Sequence, residues 1–384
     1  MTPQARLSAA IEVLDRILAG TAAEQALTNW GRASRFAGSG DRAAVRDLVF
    51  DALRCKRSYA ALGGAETGRG LVLGGLRVRG LNPAEWFTGE GHAPGVLGGA
   101  DAGCDPAGNV ALDCPEWLAR PLQTALGDDF VGVMQALQHR APVFLRANLA
   151  KGSVAAAQAA LATEGILCQL NHLAKNALEV TENARKIQSS QAYLSGLVEL
   201  QDAASQAVIE ALPLADGQRV LDYCSGGGGK ALAMAAQAQV TLVAHDLDPR
   251  RMRDIPTRAA RAGVKITVAE TAAIGMGYDL ILADVPCSGS GSWRRDPQGK
   301  WALTEMRLAA LCQIQADILD SVAGLLAPNG TLAYATCSML KAENEDQIVA
   351  FLARHPSWSN SLQQRFSPLQ GADGFFVALL TREG

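Results

Sequence analysis

The stretch Val220-Leu221-Asp222-Tyr223-Cys224-Ser225-Gly226-Gly227-Gly228-Gly229-Lys230 reads as a buried strand running into a glycine loop and then a helix. Glycines let a backbone approach a ligand closely, and a helix start offers unpaired N–H groups to it. The loop is not G-x-G-x-x-G, and Lys230 is followed by Ala231 rather than the Ser or Thr of a P-loop. Around it, apolar strand-like runs at residues 219–223, 240–245, 264–268, 279–283 and 331–335 alternate with helix-like segments. That alternation predicts an α/β fold with a doubly wound, mostly parallel sheet covered by helices on both faces. A last run at 375–381 suits a final strand, antiparallel to the rest. In such sheets the ligand lies beyond the carboxyl ends of the strands, near the switch point.

Three further segments fall at those strand ends. The second strand closes in His245-Asp246-Leu247-Asp248, where an acidic residue bonds ribose hydroxyls; Asp246 is the candidate, with helix capping before Pro249 as its plainer role. Pro256 predicts that the helix after Asp246 breaks or restarts there. The runs Asp279-Leu280-Ile281-Leu282-Ala283-Asp284-Val285-Pro286-Cys287-Ser288-Gly289-Ser290-Gly291 and Leu332-Ala333-Tyr334-Ala335-Thr336-Cys337-Ser338 each place a cysteine just past a buried strand. A loop cysteine there can be presented to a ligand and kept as thiolate by nearby N–H dipoles. Either cysteine alone reads better as a small core residue; their joint occurrence at one sheet edge favours chemistry. Spacing does not rank the two.

The amino-terminal part predicts helices. Leu7, Ile11, Leu14 and Leu18 recur at helical spacing, and Asp41 after Gly38-Ser39-Gly40 can cap a helix burying Val45, Leu48 and Val49. Residues 63–109, rich in glycine and turn formers, suit short helices and loops, and residues 115–118 open another helix. Residues 144–149 read as a strand and 154–164 as a helix, the start of a small α/β unit. The predicted division is residues 1–138 helical, 139–205 a small α/β subdomain, and 206–384 the doubly wound domain. With 384 residues, 48% of them hydrophobic, the chain can fill several cores. No apolar leader or membrane-length run is present, so a cytoplasmic protein is expected. The eight cysteines form no C-x2-C pair, which argues against a zinc site or disulfide framework; no metal is expected. The net charge of −3 carries no signal, but residues 32–57 hold seven basic side chains (Arg32, Arg35, Arg42, Arg46, Arg54, Lys56, Arg57) against three acidic ones. Such a patch can bind a polyanion or be an ordinary solvated helix face.

Taken together, these segments resemble the RNA cytosine-C5 methyltransferases, a family that includes bacterial 16S ribosomal RNA methyltransferases, the Sun proteins and their nucleolar relatives. The resemblance runs from about Phe144 to the carboxyl end. It includes Gln201-Asp202-Ala203-Ala204-Ser205-Gln206, Arg294-Arg295-Asp296-Pro297, Lys300-Trp301 and Glu343-Asn344-Glu345. The helical start resembles the NusB-like RNA-binding domain of the ribosomal members. The resemblance implies a Rossmann-like class I methyltransferase that takes S-adenosylmethionine as cofactor and RNA, from the NusB-like start 16S ribosomal RNA, as partner; a monomer is expected. It implies that Cys224, Ser225, Gly226, Gly227, Gly228, Gly229 and Lys230 form the cofactor loop and Asp246 holds the ribose. The resemblance also places Asp284 between the cofactor's amino end and the base, with Lys230 contacting either the base or Asp284. Cys337 is the implied nucleophile toward cytosine C6, and Cys287 assists product release. Such chemistry suits the residues, because cytosine C5 is a poor nucleophile until a thiolate adds to C6. Arg294 and Arg295, beside the first cysteine loop, are candidate RNA contacts together with Arg32, Arg35 and Arg42. Lys300-Trp301 is expected to brace that loop, and Glu343 with Asn344 to cap the next helix and hold the second.

Two departures stand out. The family's Ala-Pro-Gly-Gly-Lys-Thr is here Gly226-Gly227-Gly228-Gly229-Lys230-Ala231, a more flexible loop. Ala269 falls where an acidic residue usually meets the adenine, leaving Glu270 as the substitute from a shifted register. Three rivals remain besides a transfer RNA target. A DNA cytosine-C5 methyltransferase would use Cys287 as nucleophile, an inert RNA-binding assembly factor would need neither cysteine, and a nicotinamide oxidoreductase would share the fold alone.

Overall fold

The computed structural model describes residues 1–382, which divide into two compact units. One comprises residues 1–140 with 293–302, the other residues 141–292 with the described residues from 303 onward.

The first unit is helical. Its opening helix, Pro3–Leu18, starts where Thr2 accepts the Ala5 amide at 3.2 Å, and it buries Leu7, Val13, Leu14 and Ile17. Ser39–Arg54 follows, with Asp41 inside its first turn accepting the Gly38 amide at 3.2 Å and facing Arg6 and the chain's amino terminus. Val45, Val49 and Leu53 from this helix join Trp30, Tyr59, Leu71 and Leu73 in one core. Residues 63–109 hold the helix Gly68–Val78 and two single 3-10 turns, the short pieces that their glycine content predicts.

Ten residues from far along the chain belong to this unit. Trp301 Nε1 donates to the Leu53 carbonyl at 2.7 Å, and the buried Lys300 ammonium donates to the Arg54 carbonyl at 3.2 Å. Both bond carbonyls in the last turn of Ser39–Arg54, which a helix end leaves without intrahelical partners, so Lys300 and Trp301 brace that helix rather than the cysteine loop. Burial lowers the Lys300 ammonium to about 8.

The second unit carries two sheets. The small antiparallel sheet has order β2-β3-β1-β4, from β1 (Val143–Ala147), β2 (Leu167–Leu170), β3 (Ala177–Glu182) and β4 (Val198–Leu200). Helices Val154–Thr163 and Ala203–Glu210 flank it, the latter sharing a core with the large sheet. The large sheet is built from β5 (Arg219–Asp222), β6 (Thr241–Ala244), β7 (Thr267–Val268), β8 (Tyr278–Asp284), β9 (Leu326–Thr336), β10 (Trp358–Phe366) and β11 (Phe375–Arg382). Its order is β10-β11-β9-β8-β5-β6-β7. β5, β6, β7, β8 and β9 pair in parallel, while β11 runs antiparallel to β9 and β10.

This is the doubly wound Rossmann-like sheet that the alternation predicts, with its switch point between β5 and β8. The central strands are buried through β5, β8 and the second half of β9, as parallel strands covered on both faces must be. β10 has no apolar signature, because it is a polar edge strand. Pro256 does restart a helix: a 3-10 turn at Pro249–Met252 gives way to Ile255–Ala262. No helix among the described residues is long and apolar enough to cross a membrane.

Candidate active site

Four adjacent strands, β9, β8, β5 and β6, end at the same edge and deliver the chemical groups. β5 ends in Asp222 and leads into the glycine loop, β8 ends in Asp284, and β9 hands on to Cys337. Cys287 and Cys337, 50 residues apart in sequence, face each other with their sulfurs at 3.4 Å. Both are half-buried.

One carboxylate locks the two cysteine loops together. Glu343 is wholly buried and accepts the Ser288 amide at 2.7 Å, the Ser288 hydroxyl at 2.5 Å and the Ser338 hydroxyl at 2.5 Å. It therefore holds the residue after each cysteine, and Gln315 donates a further bond to it at 3.0 Å. Asn344 accepts the Thr336 hydroxyl at 2.6 Å and donates to the Ser338 carbonyl at 2.9 Å. The Gly291 amide donates to the Cys337 carbonyl at 2.9 Å, and the Ser290 hydroxyl accepts the Met339 amide at 2.8 Å. Glu343 and Asn344 thus fasten both loops, where the sequence suggests only the second.

Electrostatics rank the thiols, which spacing does not. A hydrogen bond from Cys287 holds the Cys337 thiol below its ordinary range against burial and the Asp284 charge, with the Lys230 ammonium and Ser292 acting in the same direction as Cys287. Cys287 is pushed well above that range by its bond to Cys337, then by burial and by the Glu343 carboxylate. Of the two, Cys337 is therefore the more readily ionised thiol.

Lys230 Nζ sits 2.6 Å from Asp284 Oδ2 and 4.9 Å from the centre of the Phe375 ring. Burial alone would lower the ammonium, but Asp284 outweighs it and the net shift is upward. Beside this pair lies Asp222, which no sequence pattern singles out. It is 1% exposed, and neither carboxyl oxygen makes a well-formed hydrogen bond among the described residues. Burial, and then the Asp284 charge, push it up to about 7, although the nearby Ser225 hydroxyl and Ala231 amide pull its carboxyl down slightly. The Ser225 hydroxyl is likewise buried without a partner.

Asp246 accepts the Gly226 amide at 2.9 Å and the Asp248 amide at 3.0 Å, and pairs with Arg251 at 3.0 Å. The turn after it is capped by Asp248 instead, which accepts the Arg250 amide at 3.1 Å. Cys224 lines the loop with its thiol driven far up by burial. His245, equally unmarked in the sequence, bridges the Tyr223 carbonyl at 2.7 Å and the Thr271 hydroxyl at 2.9 Å, pinning the loops after β5 and β7 together. Glu270 is exposed at the start of the 3-10 turn Thr271–Ala273, next to the Thr271 that His245 holds.

In the helical unit, Arg32, Arg35 and Arg42 line a groove of about 720 Å³ with Arg46, Trp30 and Leu27. Arg46 is paired with Glu24, Lys56 with Glu66, and Arg57 with Glu116; Arg54 is buried and donates to the Arg294 carbonyl at 2.8 Å. Arg294 itself is 4% exposed while Arg295 is exposed, so only Arg295 of the two offers its side chain to solvent.

Known proteins carry the same pattern. The family model described as 16S rRNA methyltransferase RsmB/F matches residues 209–381, and that of the RsmF/B-like ferredoxin-like domain matches residues 114–188. The ribosomal RNA small subunit methyltransferase B of Klebsiella pneumoniae is 35% identical over 290 residues, 70% of this chain and 66% of that protein. The chain belongs to the RsmB/F methyltransferase family. The protein of the same description from Xanthomonas campestris is 34% identical, again over 70% of this chain and 66% of its own length. The chain thus spans slightly under two thirds of the length of these RsmB/F members. The crystal structure of PH0851 shares the fold, with a TM-score of 0.79 at 21% identity over 100% of this chain and 99% of that one. For an RsmB/F methyltransferase the cofactor is S-adenosylmethionine. The residues present fit it: Asp222 before the glycine loop and Ser225 within it are buried with no well-formed hydrogen bond, and the Asp284 carboxylate sits on the loop's Lys230, an arrangement suited to a ligand bearing cationic and hydroxyl groups.

Proposed function

We propose that the chain transfers a methyl group to C5 of a cytosine in RNA, with 16S ribosomal RNA as the substrate, through a covalent adduct on Cys337. The observation that carries this reading is the thiol pair at 3.4 Å, in which the mutual hydrogen bond lowers Cys337 and raises Cys287, with the Lys230–Asp284 pair close to Cys337 and the Glu343 carboxylate close to Cys287. Hydride transfer to or from a nicotinamide needs neither thiol.

S-adenosylmethionine, when bound, supplies an electrophilic methyl group, and residues 224–230 with Asp246 and Asp284 would hold it. The rest is done by this chain. A target base flipped out of its RNA context presents its C6 to Cys337. Thiolate addition raises electron density at C5, the carbon that takes the methyl group. Lys230 and Asp284 support the base, and their mutual pairing keeps the ammonium charged next to the developing negative charge. Once Cys337 has become a thioether, the neighbouring thiolate that held the Cys287 proton is gone. Cys287 then moves down toward its ordinary range, gives up its own proton to solvent, and as thiolate takes the C5 proton; the electron pair left at C5 reforms the C5–C6 double bond and the C6–S bond breaks, releasing Cys337 as thiolate.

The groove lined by Arg32, Arg35 and Arg42 fits the phosphate backbone of the same RNA, and Arg295 is a further candidate contact. Methyl transfer from labelled S-adenosylmethionine to unmodified total RNA, followed by nucleoside analysis, tests the reading. Label in 5-methylcytosine from 16S ribosomal RNA is the expected result. Label in transfer RNA would move the substrate, and no label together with no cofactor binding would favour an inert RNA-binding factor.

A further inference from the structure

Four consecutive glycines are a poor choice for a loop that must hold a fixed shape, since each loses more backbone freedom on ordering than any other residue. Here each of the four is gripped from outside the loop. The Gly226 amide donates to Asp246, whose carboxylate is itself paired with Arg251, and a Cβ on Gly226 would lie 3.0 Å from Arg251 Nη2. The Gly227 carbonyl accepts a hydrogen bond from Arg258 Nη1. Gly228, at φ +81°, lies against Ile255, with space for a Cβ closed at 2.7 Å. The Gly229 carbonyl accepts from Arg146 Nη1 at 2.9 Å.

Three of these grips come from the short segment that follows β6, and the fourth comes from β1 of the small sheet. The two arginines that hold carbonyls are themselves held. Arg258 pairs with Glu199 of β4 at 3.4 Å, a buried carboxylate that also takes Arg261 at 2.6 Å. Arg146 is buried and donates to Gln201 Oε1. A guanidinium presents its donors in a fixed fork, so an anchored arginine can fix a carbonyl's direction as well as its distance.

We propose that Arg258, seconded by Arg146, is a positioning residue for the cofactor. It sets the carbonyl of Gly227 from outside and so supplies the order that a stiffer backbone residue would supply from within. The proposal rests on the reading of this loop as the cofactor site. Its consequence is a specific exchange: stiffening the backbone at position 227 substitutes for Arg258. Gly227 allows the exchange, because its φ lies outside the left-handed region, its amide has no hydrogen-bond partner among the described residues, and a Cβ there meets only Arg258 Nη1, at 3.3 Å.

The test uses the full chain as wild type, Arg258→Ala, Arg258→Lys, and Arg258→Ala combined with Gly227→Pro or with Gly227→Ala. Two quantities are read: amide hydrogen exchange across residues 224–230 without ligand, and the Kd for S-adenosylhomocysteine by calorimetry. Arg258→Ala is expected to speed exchange in the loop and weaken binding about tenfold, the scale of one charge-assisted hydrogen bond removed. Arg258→Lys should recover part of the affinity. Adding Gly227→Pro should restore most of it and slow exchange again, and Gly227→Ala should do the same to a smaller extent. Unchanged exchange and unchanged Kd in Arg258→Ala would overturn the proposal. So would weakened binding with an unchanged loop, since Arg258 would then act on the ligand directly. Failure of the wild type to bind S-adenosylhomocysteine would refute the cofactor reading, while loop exchange would still judge the brace.

Discussion

Asp222 makes the apoprotein's stability depend on pH in a way one substitution can isolate. Its carboxyl is moved from 3.8 to about 7, by burial first and by the Asp284 charge second. Below about pH 4 the folded and unfolded chains both hold its proton and no cost arises. Between about pH 4 and about pH 7 only the folded chain holds it, so folding takes up a proton and stability falls as pH rises. Above about pH 7 the full cost is present, on the order of 4 kcal/mol at about 1.4 kcal/mol per pH unit. Asp222→Asn keeps the shape and removes the titration. Groups that Asp222 does not influence cancel in their difference, and the shifts of Lys230 and Cys224, which do include Asp222, are upward and so take their titration above the pH range compared. The expected result is that the variant's Tm advantage over wild type widens between about pH 5 and about pH 8. The widening is worth about 2–3 kcal/mol, or roughly 5–10 °C for a domain of this size. Calorimetry of both proteins without ligand measures it. A Tm difference that stays constant across that range would rule this out, because Asp222 would then be ionised in the fold throughout.

The thiol ranking predicts that iodoacetamide, mapped by mass spectrometry across a pH series, modifies Cys337 before Cys287 and at lower pH than buried Cys55 or Cys224. Lys230→Met should shift the Cys337 onset upward by about one pH unit, since the missing cation no longer stabilises the thiolate; earlier modification of Cys287 would reverse the assignment. Replacing Arg32, Arg35 and Arg42 together by alanine should weaken RNA binding and flatten its salt dependence by about 0.7–0.9 for each phosphate no longer neutralised. S-adenosylhomocysteine binding should stay as in wild type, and an unchanged salt slope would remove the groove from the RNA path.

Much of the fold is legible in the sequence because parallel strands buried on both faces must be written as apolar runs. β5, β8 and β9 appear that way, and the cysteines just past β8 and β9 follow from them. What escapes does so for physical reasons. β10 is an edge strand with a polar sequence, so no pattern marks it. Asp222 sits inside the strand-and-loop stretch itself, yet its isolation from hydrogen-bond partners exists only after the strands assemble. Arg146 and Arg258 lie 112 residues apart and meet the glycine loop only through the small sheet and the helix after β6. The burial of Arg294 and Lys300 in the helical unit is equally invisible, because nothing local tells a chain to leave one unit for ten residues and return. Glu343 does show in the sequence, but a cap and a clamp between two loops have the same signature there.

Cys337 forming the bond to the base and Cys287 breaking it are two roles that one experiment separates. Wild type, Cys337→Ala and Cys287→Ala are incubated with unmodified 16S ribosomal RNA and S-adenosylmethionine, and the products are resolved on a denaturing gel. A stable protein–RNA adduct is expected with Cys287→Ala alone, and neither adduct nor methyl transfer with Cys337→Ala. An adduct trapped by Cys337→Ala, with Cys287→Ala inert, would overturn the assignment and make Cys287 the nucleophile.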